Sequence, residues 1–153
     1  MAAVRDGLAA LVLASLAVGP ALSQEPSAGG AGAHDRFRWP LRGPIVQAFK
    51  SGETDGIDIA APVGEAVHAA ADGVCIYAGD ELKTYGKLVL IRHADGYVTA
   101  YADNSELDVQ QGDTVRRGQI IAKSGVSGNV RHLHFELRKD GKPVDPMRYL
   151  APL

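Results

Sequence analysis

The chain of 153 residues has one cysteine, one tryptophan and only 6% aromatic residues. A single Cys excludes an intrachain disulfide framework and a Cys-based zinc cluster, so any metal ligands must come from His, Asp or Glu. Only five His are present. There is no excess of either charge: 16 basic against 18 acidic residues give a net charge of −2, with no field to hold a polyanion, and nucleic acid is not an expected partner. Long apolar runs are also missing. The longest, Leu8 to Val18, is far below the about 20 residues a bilayer span needs. No segment carries a sustained 3.6-residue period, so helices should be few.

The short run has another reading. Arg5 precedes it, Gly19-Pro20 closes it, and Ala21-Leu22-Ser23 supplies small residues at the positions a signal peptidase reads. Residues 1–23 are therefore expected to be a signal peptide, which places the protein in the periplasm or outside the cell, with no membrane span after cleavage. No Cys lies near the cleavage point, so a lipid-anchored form is not expected. Residues 24–36, rich in Gly, Ala, Pro and Ser, read as a flexible leader. A single domain is expected over 37–153.

Within that domain short apolar runs are broken by Gly, Pro and Asp every eight to twelve residues, the pattern of an all-β fold. Strands are expected at Ile45–Phe49, Gly56–Ala60, Ala66–Ala69, Gly73–Ala78, Lys87–His93, Gly96–Ala102, Gln119–Ser124 and His132–Lys139. One internal echo stands out. Gly64-Glu65-Ala66-Val67 followed by Gly73-Val74-Cys75-Ile76 is answered by Gly112-Asp113-Thr114-Val115 followed by Gly118-Gln119-Ile120-Ile121, which implies two related hairpin units.

The strongest chemical signal is His132-Leu133-His134-Phe135-Glu136-Leu137. Alternation on a strand sends His132, His134 and Glu136 to one face and Leu133, Phe135 and Leu137 to the other. Two imidazoles two residues apart can address one metal or one reacting group. In Thr54-Asp55-Gly56-Ile57-Asp58, the same alternation groups Thr54 with Asp58 and sets Asp55 on the opposite face, with Glu53 also out of phase. His93 and His68 read as ordinary exposed histidines, His34 lies in the leader, and Cys75, between Val74 and Ile76, reads as a small buried hydrophobe.

Trp39-Pro40-Leu41-Arg42-Gly43, Gly56-Ile57-Asp58-Ile59-Ala60, Gly64 to Ala69, Gly73-Val74, Tyr85-Gly86, His93 to Tyr97, Tyr101-Ala102, Gly112 to Val115 and His132 to Glu136 fall in one order. Together, from about Phe37 to Pro146, they resemble the LytM domain of the M23 family of zinc peptidoglycan endopeptidases, the duplicated-hybrid-motif or lysostaphin-like β-sandwich. The resemblance implies a zinc held by a His-x-Gly-x-Asp motif and by the second His of His-x-His. It also implies two catalytic histidines, the first of His-x-His and one following Tyr-Ala. Asp58 and His134 match metal ligands, and His132 matches a catalytic histidine. Thr54 stands where the first zinc ligand is His, and Asp103 where the other catalytic histidine is expected.

Both departures oppose catalysis. Thr54 leaves two strong ligands where a catalytic zinc keeps three, so zinc should bind weakly or be absent. Asp103 sets a carboxylate where an amide hydrolase stabilises a developing oxyanion. Degenerate members of this family activate peptidoglycan amidases through the groove where zinc would sit. The resemblance thus implies a non-hydrolytic regulator partnered by peptidoglycan or a periplasmic amidase, with Thr99 and Tyr101 lining the groove beside Asp58, Asp103, His132 and His134. Two alternatives stay open: a zinc metalloendopeptidase that cuts peptide crosslinks with unusual ligands, and a lipoyl- or biotinyl-type carrier, whose halves Gly64–Ala69 and Gly112–Ala122 resemble.

Overall fold

The structure, a computed structural model, describes residues 36–152. The expected signal peptide, residues 1–23, and all but the last residue of the expected leader lie outside the described residues. Those described form ten strands: β1 Ile45–Gln47, β2 Ile57–Ala60, β3 Ala66–His68, β4 Gly73–Gly79, β5 Lys87–Arg92, β6 Tyr97–Leu107, β7 Thr114–Val115, β8 Ile120–Ser127, β9 Val130–Lys139 and β10 Lys142–Val144. Three 3₁₀ turns, at Lys83–Tyr85, Ala94–Gly96 and Pro146–Arg148, are the only helical segments among the described residues. The all-β expectation holds. β10 escaped the sequence because it carries Pro143, which reads as a breaker, while β7, whose two residues are too few to show alternation, was expected only as the short strand of the second echoed unit.

All strand pairs are antiparallel, in the order β1-β2-β9-β8-β6-β5-β4-β7, with β3 on β8, β10 on β9 and a further pairing of β9 with β6. The internal echo is real but does not form two hairpins. The first strand of each unit pairs with the second strand of the other: Val67 faces Ala122 across β3 and β8, and Gly73 faces Val115 across β4 and β7. Both units open on a positive-φ glycine, Gly64 at 92° and Gly112 at 98°, a region that a β-carbon disfavours. Their backbones repeat the same bonds, since the Gly64 amide donates to the Ser124 carbonyl and the Gly112 amide to the Cys75 carbonyl, each at 2.8 Å.

The central strand β9 separates two apolar clusters. Leu133, Phe135 and Leu137 join Ile57, Ile59, Val89, Ile91 and Tyr101 in the larger one, all at most 1% exposed. Burying a side chain of that size contributes about 1.5–3 kcal/mol, so this face anchors the sheet. Tyr85, Leu88, Leu90, Val98, Ala100 and Ala102 form the smaller cluster. Register places it on the opposite face, because Ala102 lies across from His134 and Ala100 across from Glu136.

Candidate functional site

The site is built where β2, β9 and β6 lie side by side. Asp58 on β2 and Ala102 on β6 both stand opposite His134 on β9. His134 Nδ1 meets Asp58 Oδ1 at 2.5 Å, and its Nε2 meets Glu136 Oε1 at 3.0 Å. The chain of contacts continues, for Arg138 Nε donates to Glu136 Oε2 at 3.0 Å, and its Nη2 lies 3.5 Å from Asp55 Oδ2. His134, Glu136 and Arg138 are 4%, 0% and 2% exposed. Burial by itself would raise the Glu136 carboxyl, but the His134 hydrogen bond and charge, joined by Arg138, hold it below its ordinary range.

His132, two residues back on the same face, meets Asp103 Oδ2 through Nε2 at 2.9 Å. Its Nδ1 is buried without a hydrogen-bond partner among the described residues. Asp103 sits at φ 64°, a conformation Asp tolerates better than most residues. There β6 leaves β9, after Ala102 opposite His134, and joins β8, beginning with Asn104 opposite Ser124. Gly125 makes this crossing possible, as a β-carbon there would come within 2.5 Å of the Asp103 carbonyl oxygen.

The structure thus brings Asp58, Asp103, His132 and His134 together. It does not bring Thr99 or Tyr101 to them. Both lie on the other face, opposite Leu137 and Phe135, and are 0% exposed. Their hydroxyls belong to a buried chain in which His93 Nε2 contacts Thr99 Oγ1, Thr99 donates to the Tyr101 hydroxyl, and that hydroxyl receives the Ala70 amide. Burial, the dominant cause, pushes the Tyr101 hydroxyl well up from its ordinary pKa. As groove residues they are corrected: neither can touch a partner.

Two more expectations change, and one residue escaped them. Asp55 does not face away from the site, because its carboxylate approaches Arg138. His93 is not exposed but 8% accessible, and burial pushes its imidazole down to about 4 despite the contact of Nδ1 with the Asp72 carbonyl. Arg138 was missed, although it continues the alternation of His132, His134 and Glu136. Cys75 is buried, as read, with its thiol pushed up to about 11 mainly by burial. His68 bonds the Gly118 carbonyl and takes no part in the site.

Thr54 does not supply a ligand. Its hydroxyl receives the Lys50 amide at 2.6 Å and donates to the Ala48 carbonyl at 3.1 Å, closing the turn that Gly52 rounds at φ 80°. Glu53 is exposed and pairs with Lys50. Asp58 and His134 are therefore left as two donors already in contact with each other, and among the described residues no three His, Cys, Asp or Glu side chains are grouped to hold a metal ion. This set does not fit a catalytic zinc, which needs three protein ligands and an open position.

Comparison with known proteins places these features. Residues 52–146 match peptidase family M23, a span that includes both carrier-like segments, Gly64–Ala69 and Gly112–Ala122. The chain is 49% identical over 117 residues to outer membrane antigenic lipoprotein B of Haemophilus influenzae, covering 74% of this chain and 29% of that protein. It is 44% identical over 117 residues to murein hydrolase activator NlpD of Escherichia coli, covering 74% and 31%. Among solved structures, a zinc-containing peptidase from Vibrio cholerae superposes with a TM-score of 0.67 at 30% identity, covering 78% of this chain and 41% of that one. The chain spans less than a third of the two relatives' lengths, so the likeness concerns this domain. Interlocked β units, an Asp58 and His134 pair across β2 and β9, and a match over most of the sheet have one explanation: the chain belongs to peptidase family M23.

Proposed function

We propose that this chain is an exported, non-hydrolytic regulator of peptidoglycan hydrolases, acting in the periplasm on an amidase that docks on the Asp58, His132 and His134 face. The observation that carries the reading is that both site imidazoles are already engaged by carboxylates, His134 by Asp58 and Glu136 and His132 by Asp103. An amide hydrolase needs hydrogen-bond donors aimed at the oxyanion, and Asp103 offers an acceptor in that place. The relatives support the same direction, one being named a murein hydrolase activator and another an outer membrane lipoprotein. Val130 shares the His132 parity at the hairpin end of β9, where it pairs with Ser127, and is 49% exposed, an apolar rim of the kind that anchors a partner.

One preparation tests this. Purified protein is analysed for zinc and added to cell-wall sacculi alone and with a periplasmic amidase. Stimulation of the amidase without solubilisation by the protein itself is expected. Near-stoichiometric zinc together with unaided solubilisation would establish the metalloendopeptidase reading instead.

A further inference from the structure

A concavity lies between the loop after β1 and the segment that follows β10. The loop after β1 supplies Phe49 and Ser51, β10 supplies Pro143 and Val144, and the 3₁₀ turn that follows is flanked by Asp145 and Tyr149 and supplies Arg148; together they line an open cleft of about 370 Å³. That is the lower end of the range for small-ligand sites. The walls are rigid. Phe49, Val144 and Tyr149 pack on the main core, and Tyr149 also meets Tyr97 edge to face at 5.8 Å. Asp145 caps its turn by accepting the Met147 amide at 3.0 Å, while the hydrogen bonds of Lys50 with Glu53 and Thr54 fix the opposite loop.

The charges in this cleft are what single it out. Arg148 forms no ion pair or side-chain hydrogen bond among the described residues, and it forms none with Asp145, although both line the same small volume. Asp145 keeps one carboxylate oxygen beyond its cap. A guanidinium is built for a carboxylate and a carboxylate for an ammonium, and the Ser51 hydroxyl can serve either. Two aromatic rings and Val144 add apolar surface for a short aliphatic stem.

We propose that this cleft binds the zwitterionic head of an amino acid, an ammonium and a carboxylate on one carbon, with Arg148 taking the carboxylate and Asp145 the ammonium. Taking its source to be the free end of a diamino acid in an uncrosslinked peptidoglycan stem peptide rests on the function proposed above. A lone carboxylate would leave Asp145 opposed, and a lone ammonium would leave Arg148 opposed.

The probe is meso-diaminopimelic acid, titrated into the purified protein by calorimetry and by amide chemical shifts, beside its bis-N-acetylated derivative. Saturable binding is expected, with shifts confined to 49–51 and 143–149. Affinity should fall at least tenfold for the acetylated probe, for Arg148→Gln and for Phe49→Ala. Arg148→Gln removes an exposed side chain, so an unchanged melting temperature will separate lost binding from lost folding. No saturable binding, or equal binding of the acetylated probe or by Arg148→Gln, overturns the proposal. Amidase stimulation is measured on the same variants. Absence of probe binding by the wild-type protein with its stimulation intact removes only the cleft proposal, whereas probe binding by the wild-type protein without stimulation by it or by any variant removes the regulator reading and keeps the cleft.

Discussion

Replacing Arg138 by Met tests whether the buried chain along β9 holds the site together. Arg138 is 2% exposed and is the cation beside Glu136, which is 0% exposed. Methionine fills much of the same volume, so the main loss is the charge and the hydrogen bonds to Glu136 and the Gly141 carbonyl. Breaking a buried pair from one side costs about 3–5 kcal/mol, because the remaining charge is stranded. Against a total stability of about 5–15 kcal/mol this is a large fraction, equivalent to a fall of roughly 10–20 °C in melting temperature. Urea unfolding should show a lower midpoint with an unchanged slope. Adding Glu136→Gln should recover a good part of the loss, since the amide is neutral and still offers His134 an oxygen. The acid limb gives an independent check. Glu136 is held below its ordinary value of 4.5, so the stability it contributes is full above that pH and disappears as pH falls through its lowered folded value; wild type and Glu136→Gln should converge there. A loss below about 1 kcal/mol in Arg138→Met, or a double variant no more stable than the single one, would refute the assignment of Arg138 as the counter-charge.

Two further outcomes are expected. Thr54→His should raise zinc occupancy of the purified protein while sacculus hydrolysis stays low, because Asp103 still faces His132; unchanged occupancy would mean that Thr54 does not occupy the missing ligand position, and Asp103→His in the same chain is the step after which hydrolysis is to be sought. His93 is pushed down to about 4 from 6.5, so as pH falls the unfolded chain takes up this proton first, and stability present above pH 6.5 drains away between 6.5 and 4, by on the order of 3 kcal/mol. His93→Gln should lack that window, and parallel loss in both proteins would show that His93 is not its source.

Much of the fold was legible because alternation and turn glycines are local. Leu133, Phe135 and Leu137 read as core and are core, and the paired motifs at Gly64 and Gly112 announced a repeat. How the units pair was not legible. A short strand says nothing of its partner, and the crosswise pairing of β3 with β8 and β4 with β7 depends on contacts distant in sequence.

The misplaced site residues share one physical cause: alternation holds only while the backbone stays extended. Thr99, Tyr101 and Asp103 have the same parity, so a regular strand would carry all three on one face. The left-handed φ of 64° at Asp103 breaks the phase, so Asp103 turns to His132 while Thr99 and Tyr101 remain in the core. Thr54, Asp55 and Asp58 repeat the lesson at the other edge. The strand begins only at Ile57, and before it the chain turns, so Thr54 closes its own loop and Asp55 reaches Arg138. Arg138 shows the converse. Where β9 runs unbroken, parity carried from His132 through His134 and Glu136 to Arg138 does identify the buried chain. A strand face can therefore be extrapolated as far as its regular φ values reach, and in this protein the site is assembled from one strand that keeps its phase and two segments that lose it.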